Sequence, residues 1–313
     1  MLPKEVTKVA VLGAGTMGSG LAQVFALSGY EVAMYSRRSE TLERAMTMVQ
    51  TGLGTLAEYG RITQDQVKAT LTRITPTQDL AQAAAGAQFA LETIAEDKEA
   101  KAKLYHELDG LLPAESVLAS NTSSLNIFEL LPASRESQAV IAHFFTPAYI
   151  IPLVEVVPGP KTGSDTVAFA VKLMEACGKS PVVMKKFGPG FIVNRIQRAI
   201  GETAMDMIEE GLVEPQDIDR AIKLSLGIRL PIVGVVQTFD FQGLDMLLAY
   251  QKNVGKVYRF VEEKVERGQL GAKTSSGIYD YQGRTEAEIV RKRDLLYLQM
   301  LDHLAKINAF EPL

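Results

Sequence analysis

Tryptophan is absent from this 313-residue chain, cysteine occurs once and histidine three times. Each shortage excludes something. A single cysteine, Cys177, rules out an internal disulfide and fits a reducing compartment. The three histidines, His106, His143 and His303, are scattered and form no metal-ligand cluster, so no metal is expected. A net charge of −4 leaves no basic stripe of the kind that marks nucleic-acid binding. No apolar run reaches membrane-spanning length, and none precedes the first strand as a signal segment would. The expectation is a cytoplasmic protein with no nucleic-acid partner and no membrane partner. At 47% hydrophobic residues, the chain has material for one large domain or two ordinary ones.

The chain opens on a short apolar strand, 9–12, followed by Gly13-Ala-Gly15-Thr16-Met17-Gly18. A helix over 19–28 is stopped by Gly29, and a second strand covers 31–35. This strand–turn–helix–strand order is a mononucleotide-binding half. Gly13 permits a tight turn, and Gly15 lets bare backbone approach a pyrophosphate. Gly18 lets helix and strand pack closely, and the helix N-terminus faces the phosphates. A lone glycine pattern is weak, but this one sits in the required context. Gly13, Gly15, Thr16, Met17 and Gly18 are therefore candidate cofactor residues.

The end of the second strand selects the nicotinamide cofactor. NAD readers usually carry an acid there, which accepts from the ribose hydroxyls. This chain has Ser36-Arg37-Arg38. No acid is present to repel a 2′-phosphate, and two guanidiniums stand ready to pair with one. A charge-assisted hydrogen bond contributes roughly 1.5–3 kcal/mol, enough for about a tenfold preference. The pattern favours NADP, with NAD as the alternative; a solvated arginine pair at a helix start is the bland reading.

Two helices, 41–59 and 63–71, form an excursion before a strand near Ile74. A helix over 77–85, a strand over 88–92, a helix over 97–111 and a strand over 117–120 follow. Alternating strands and helices predict an α/β fold with a doubly wound, mainly parallel sheet. Ligands of such a sheet bind at the carboxyl ends of its strands. Asn121-Thr-Ser123-Ser lies at such an end.

Two apolar strands then flank a short link with Pro147 and Pro152, and each carries one ionisable residue, His143 and Glu155. A parallel crossover needs a dozen or more residues, so this short link predicts an antiparallel hairpin. Counted symmetrically about Tyr149, His143 faces Glu155. A buried imidazole beside a buried carboxylate is a proton acceptor of fixed tautomer and raised basicity. The hypothesis is that it removes a proton from a substrate hydroxyl. A core histidine satisfied by a carboxylate for structural reasons is the alternative.

A helix over 164–178 and a strand over 180–184 lead to Lys185-Lys-Phe-Gly188-Pro-Gly190, the expected domain junction. Beyond it strand signals fade, apart from 277–281. Helices are expected over 191–210, 215–226, 240–266 in one or two pieces, and 285–306. The reading is a nucleotide-binding domain over 1–187 and an all-helical domain over 188–313. Asn194 sits early in the first of these helices, amid apolar residues, where its amide needs partners.

Taken together, Gly13-Ala-Gly-Thr-Met-Gly18, Asn121-Thr-Ser-Ser-Leu125, His143-Phe-Phe-Thr-Pro147, Leu153-Val-Glu155-Val, Pro189-Gly-Phe-Ile-Val-Asn-Arg195 and Gly271-Ala-Lys-Thr-Ser-Ser-Gly-Ile-Tyr-Asp-Tyr281 resemble the 3-hydroxyacyl-CoA dehydrogenase family along nearly the whole chain. The resemblance implies a Rossmann-like domain plus a helical domain that makes a homodimer. It implies that His143 is the general base, oriented and charged by Glu155. Ser123 then hydrogen-bonds the reacting oxygen, and Asn194 steadies the developing charge. Glu96, Lys101, Ser123, Thr146 and Lys273 match positions on the cofactor side. As plainer alternatives, Ser123 is a helix cap and Asn194 a buried tie.

The chain departs from the family's pattern in places. Thr146 stands where the family commonly has Asn, and Ser36 where it has an acid. The stretch 45–60 carries no base at all, whereas acyl-CoA members are lysine-rich there. The segment 149–158 looks closer to relatives acting on free hydroxy acids, the L-gulonate dehydrogenase (lambda-crystallin) and carnitine dehydrogenase branches. The first expectation is a 3-hydroxyacyl-CoA substrate, with a place in fatty acid metabolism. The second is the same chemistry on a free 3-hydroxy acid. A non-catalytic, crystallin-like or nucleotide-sensing protein is the third, although the four catalytic-type residues are all present.

Overall fold

Strands buried on both faces read as continuous apolar runs, and the central strands of this chain's eight-stranded sheet do so, while its two edge strands stay partly exposed. In the computed structural model, which describes residues 5–311, contacts divide the chain into a unit ending at Ala199 and a unit beginning at Ile200.

The first unit is organised by β1 (Lys8–Leu12), α1 (Thr16–Leu27), β2 (Glu31–Tyr35), α2 (Ser39–Glu58), α3 (Gln64–Thr72), β3 (Ile74–Thr77), α4 (Leu80–Ala84) and β4 (Phe89–Glu92). It continues with α5 (Lys98–Asp109), β5 (Val117–Ser120), β6 (Ala139–Phe144), β7 (Leu153–Pro158), α6 (Ser164–Ala176) and β8 (Ser180–Val183). The sheet order is β3-β2-β1-β4-β5-β6-β7-β8. Every neighbouring pair is parallel except β6 with β7. The first six strands thus have the doubly wound order, and the last two run against them.

Side-chain alternation splits the core into two layers. Val9 and Val11 join Leu21, Phe25 and Leu173 on one face of the sheet. Ala10 and Leu12 join Leu104, Tyr105 and Leu108 on the other. Because helices cover both faces of the central strands, β4, β5 and β6 need no polar side. Local signals set the helix ends. The Thr63 side chain accepts from the Gln66 N–H at the start of α3, in a reciprocal capping box. Asp97 caps α5 by accepting from the Ala100 N–H at 2.7 Å. Buried Arg135 closes the far end of α5, donating to the carbonyls of Asp109 and Leu112 at 2.9 and 2.8 Å.

In the second unit, α7 (Val193–Glu209), which begins in the first, leads to α8 (Pro215–Leu224), α9 (Leu226–Gln242), α10 (Leu244–Asn253), α11 (Arg259–Glu266) and α12 (Glu286–Lys306). Its cores are small: Leu244, Leu248 and Val261 in one, Ala272, Tyr281 and Ile289 in the other. The Thr285 capping box starts α12. The carboxylate of buried Asp240 accepts from the N–H groups of Ile278 and Tyr279 at 2.8 and 2.9 Å, folding that loop around itself.

Three expectations need correction. No helix was expected between 226 and 240, yet α9 fills it. Gly227 and Pro231 lie inside it, and the non-helical backbone is at Gly234, whose φ of 67° glycine adopts without strain. The helix expected over 77–85 is only Leu80–Ala84, because Asp79 caps it late. The strand expected over 277–281 is replaced by isolated bridges, Gly271 to Ser276 and Ser276 to Asp280. Among the described residues no single helix is long and apolar enough to cross a membrane.

Candidate active site

In a doubly wound sheet the helices after β1 and β4 leave on opposite faces, opening a crevice at the carboxyl ends of those strands. A cleft of about 530 Å³ lies there, lined by Gly15, Thr16, Met17, Glu96, Asn121, Ser123, His143, Thr146 and Asn194 among others, all in the first unit.

The three glycines of the turn from β1 into α1 differ in what demands them. Gly13 has φ 118°, and a Cβ there would lie 2.6 Å from the Thr93 carbonyl oxygen. A Cβ on Gly18 would lie 1.8 Å from the Gly13 carbonyl oxygen. The chain's own packing therefore requires both. Gly15 has nothing within 4 Å of its Cβ position and lines the cleft. Packing does not require it, and the open space beside its backbone has room for a ligand. Gly15 also begins α1 without any side-chain cap, so the first N–H groups of that helix offer an anion site. These features fit the diphosphate of a dinucleotide.

His143 pairs with Glu155 across the β6–β7 ladder, as counted from the sequence. His143 Nδ1 and Glu155 Oε2 are 2.7 Å apart. Relative exposures of 5% and 0% put both side chains out of bulk water. A carboxylate at Nδ1 fixes the proton there and leaves Nε2 as the accepting nitrogen. The rings of Phe145 and Phe191 flank the imidazole, with centroids 4.6 and 5.3 Å away. The other carboxylate oxygen of Glu155 accepts from the N–H groups of Ile192 and Val193, both at 2.9 Å. Burial alone would raise the Glu155 pKa. The hydrogen bonds from His143 and from those two amides outweigh it and hold the carboxyl below its ordinary value.

Asn194 follows directly, and its Nδ2 donates to the Ser123 carbonyl oxygen at 3.4 Å. Two residues far apart in sequence thus meet at the cleft. The Thr146 hydroxyl donates to Met17 Sδ at 2.9 Å, tying the hairpin link to the glycine loop. Sequence reasoning passed over Asn121 and Lys179. Asn121 Oδ1 accepts from the Phe144 N–H at 2.8 Å, joining the Ser123 loop to β6. Lys179 donates to the carbonyls of Ala148 and Ile151, bracing the hairpin link. The polar run after β5 hinted at the first, and nothing local hinted at the second.

Other candidates lie elsewhere. Ser36, Arg37 and Arg38 follow β2 at the neighbouring strand end and do not line this cleft. Both arginines are exposed, and neither pairs with an acid among the described residues. Lys101 is not a surface lysine: it has 0% exposure and lies 2.5 Å from Glu92 Oε1, beneath the cleft rather than in it. Lys273 belongs to the second unit, 2.6 Å from both carboxylate oxygens of Asp245.

The chain matches the 3-hydroxyacyl-CoA dehydrogenase NAD binding domain over residues 8–187 and the C-terminal domain of the same family over 190–281. It is 36% identical over 290 residues to a probable 3-hydroxybutyryl-CoA dehydrogenase of Bacillus subtilis, covering 90% of this chain and 99% of that protein. It is likewise 36% identical over 242 residues to an L-carnitine dehydrogenase of Streptomyces coelicolor, covering 77% and 75%. A solved 3-hydroxyacyl-CoA dehydrogenase structure from Archaeoglobus fulgidus is similar at a TM-score of 0.77 and 30% identity, covering 97% of this chain and 100% of that one.

Proposed function

The chain belongs to the 3-hydroxyacyl-CoA dehydrogenase family, oxidoreductases acting on a CH–OH group with a nicotinamide dinucleotide, and on that premise we propose its substrate and the residues that act on it. The reaction is the reversible oxidation of a 3-hydroxyacyl-CoA, such as 3-hydroxybutyryl-CoA, to the 3-keto thioester. That substrate gives the protein a place in fatty acid metabolism.

The carrying observation is the 2.7 Å contact between His143 and Glu155 in a cleft that also holds Gly15. When bound, the nicotinamide supplies the hydride acceptor. His143 takes the hydroxyl proton through Nε2 as the carbon loses hydride, and the imidazolium returns it in the reverse direction. Glu155 fixes the tautomer and balances the charge. Ser123 donates its hydroxyl to the reacting oxygen, and the Asn194 amide steadies charge developing on the substrate. Gly15, Thr16 and Met17 hold the diphosphate. We assign residues 1–187 to the dinucleotide domain and 188–313 to a helical domain for substrate and dimerisation.

A second reading keeps the chemistry and changes the substrate to a free 3-hydroxy acid, such as L-gulonate or carnitine. The stretch 45–60 in α2 and beyond, which carries no base, favours it, since a CoA nucleotide would find no cation there. Assays with 3-hydroxybutyryl-CoA beside 3-hydroxybutyrate, gulonate and carnitine separate the two. Turnover of the thioester alone supports the first reading, and turnover of free acids alone overturns it.

For the cofactor, exposed and unpaired Arg37 and Arg38, with Ser36 in the usual acid's place, favour NADP over NAD. A kcat/KM with NAD above that with NADP overturns this. Among the described residues, helices α7 and α8 bury none of their side chains. Ile200, Met205, Ile208, Leu212, Ile222 and Leu224 stand exposed. An apolar surface of this kind fits a second copy of the chain, in a cytoplasmic homodimer. Sedimentation as a monomer at micromolar concentration counts against it.

A further inference from the structure

Beneath the loop that carries Ser123 runs a chain of alternating charges. Glu92, at the end of β4, is fully buried. Its Oε2 accepts from the hydroxyls of Tyr105 and Ser120, both at 2.6 Å. Its Oε1 accepts from the Ile94 N–H at 2.8 Å and from Lys101 Nζ at 2.5 Å. Lys101 Nζ lies 3.4 Å from Glu96 Oε2. Glu96 Oε1 then accepts from four donors on three consecutive residues: the Thr122 hydroxyl at 2.5 Å, and the Ser123 N–H, Ser124 N–H and Ser124 hydroxyl at 3.1 Å each.

An ammonium with no access to water persists only when paired. Lys101 has two acids to pair with, one anchored in the sheet and one gripping the loop. The ion pair therefore transmits the position of a rigid strand end to a segment with no regular structure of its own. All of these residues lie in the first unit.

We propose that Glu96 and Lys101 are positioning residues for Ser123, with Glu96 stitching the 122–124 loop into one conformation and Lys101 holding Glu96 against Glu92. The resemblance to the dehydrogenase family had put both on the cofactor side. Lys101 instead reaches the cleft only through Glu96. The low pKa of Glu96 agrees: burial raises it, but the Thr122 hydrogen bond, Lys101 and Ser124 together bring it below the ordinary value. The inference rests on the reading that Ser123 donates to the reacting oxygen.

The test is a double-mutant cycle between Glu96→Ala and Ser123→Ala, read as kcat, with dissociation constants for NADH and NADPH taken from nicotinamide fluorescence. A loop displaced by about an ångström costs on the order of a hundredfold in rate. Glu96→Ala alone is expected to lower kcat by about tenfold to a hundredfold. In the Ser123→Ala background the same change is expected to add almost nothing, because the donor it positions is gone. Glu96→Gln keeps an acceptor for the two amides but loses the charge that Lys101 holds, and is expected to lower kcat by about threefold to tenfold. It carries the cycle if Glu96→Ala fails to fold, and a rate loss in Glu96→Gln that is undiminished by Ser123→Ala then overturns the proposal. Additive losses overturn it. So does weakened cofactor binding with kcat unchanged, which makes Glu96 a cofactor ligand. No turnover by the unaltered chain overturns this and the assigned reaction together, whereas turnover with an additive cycle overturns this alone.

Discussion

The backbone N–H of Val193 donates to Glu155 Oε1 at 2.9 Å, so the carboxylate that orients the imidazole also grips the start of the helix bearing Asn194. The two oxygens divide the work, one toward His143 and the other toward the amides of Ile192 and Val193. A single side chain thus sets the His143 imidazole and the start of the Asn194 helix relative to one another.

Glu155→Ala should therefore damage more than the histidine. Two part-buried amides lose their acceptor, at up to about 1 kcal/mol each, and the imidazole loses its tautomer. The expected outcome is a fall in kcat of about 10²–10⁴-fold together with a lowered urea midpoint. Full activity in the folded variant would contradict the arrangement.

His143→Asn separates chemistry from binding. Removing the acceptor should cost about 10²–10⁴-fold in kcat. The residue takes no part in the glycine loop, so dinucleotide affinity measured by fluorescence should stay within about twofold. A matching loss of affinity would place the imidazole in the wrong role.

Gly15→Ala and Gly18→Ala should fail in different ways. The Gly18 substitution drives a Cβ into the Gly13 carbonyl oxygen 1.8 Å away, so its cost of about 1–3 kcal/mol appears as a lower melting temperature. Gly15 has open space around its Cβ position and ordinary backbone angles, φ −75° and ψ −166°. Its alanine variant should melt like the parent while binding the dinucleotide about tenfold more weakly. Equal melting temperatures for both variants would refute this division.

Acid should unfold the protein through Glu155 and Glu96. Both carboxyls sit below their ordinary value of 4.5 in the folded chain. A depressed pKa means the unfolded state binds the proton more readily. The stability these groups contribute is complete above pH 4.5 and is lost as pH falls through their lower folded values. Melting curves between pH 7 and pH 3 should show this loss, and Glu155→Gln should flatten its acid limb. An unchanged acid slope in that variant would remove Glu155 from the account.

Much of the site was legible because it follows from counting along the chain. A short link between two apolar strands forces an antiparallel pair, and the pair's midpoint puts His143 opposite Glu155. The glycine loop is equally local, since a turn and a close helix–strand approach involve neighbours in sequence. Helix α9 was not legible, because Gly227, Pro231 and Gly234 are residues that favour breakage, yet the segment stays helical on either side of one kink at Gly234.

The amino-acid order by itself determined the strands, the hairpin register and the phosphate turn, because hydrophobic alternation and turn chemistry act over a few residues. Tertiary structure alone decided the partners of Lys101, the second grip of Glu155 on the Val193 amide and the meeting of Asn194 with Ser123. Those contacts join residues brought together by the sheet, and a buried charge reveals its purpose only when the groups that balance it are in place.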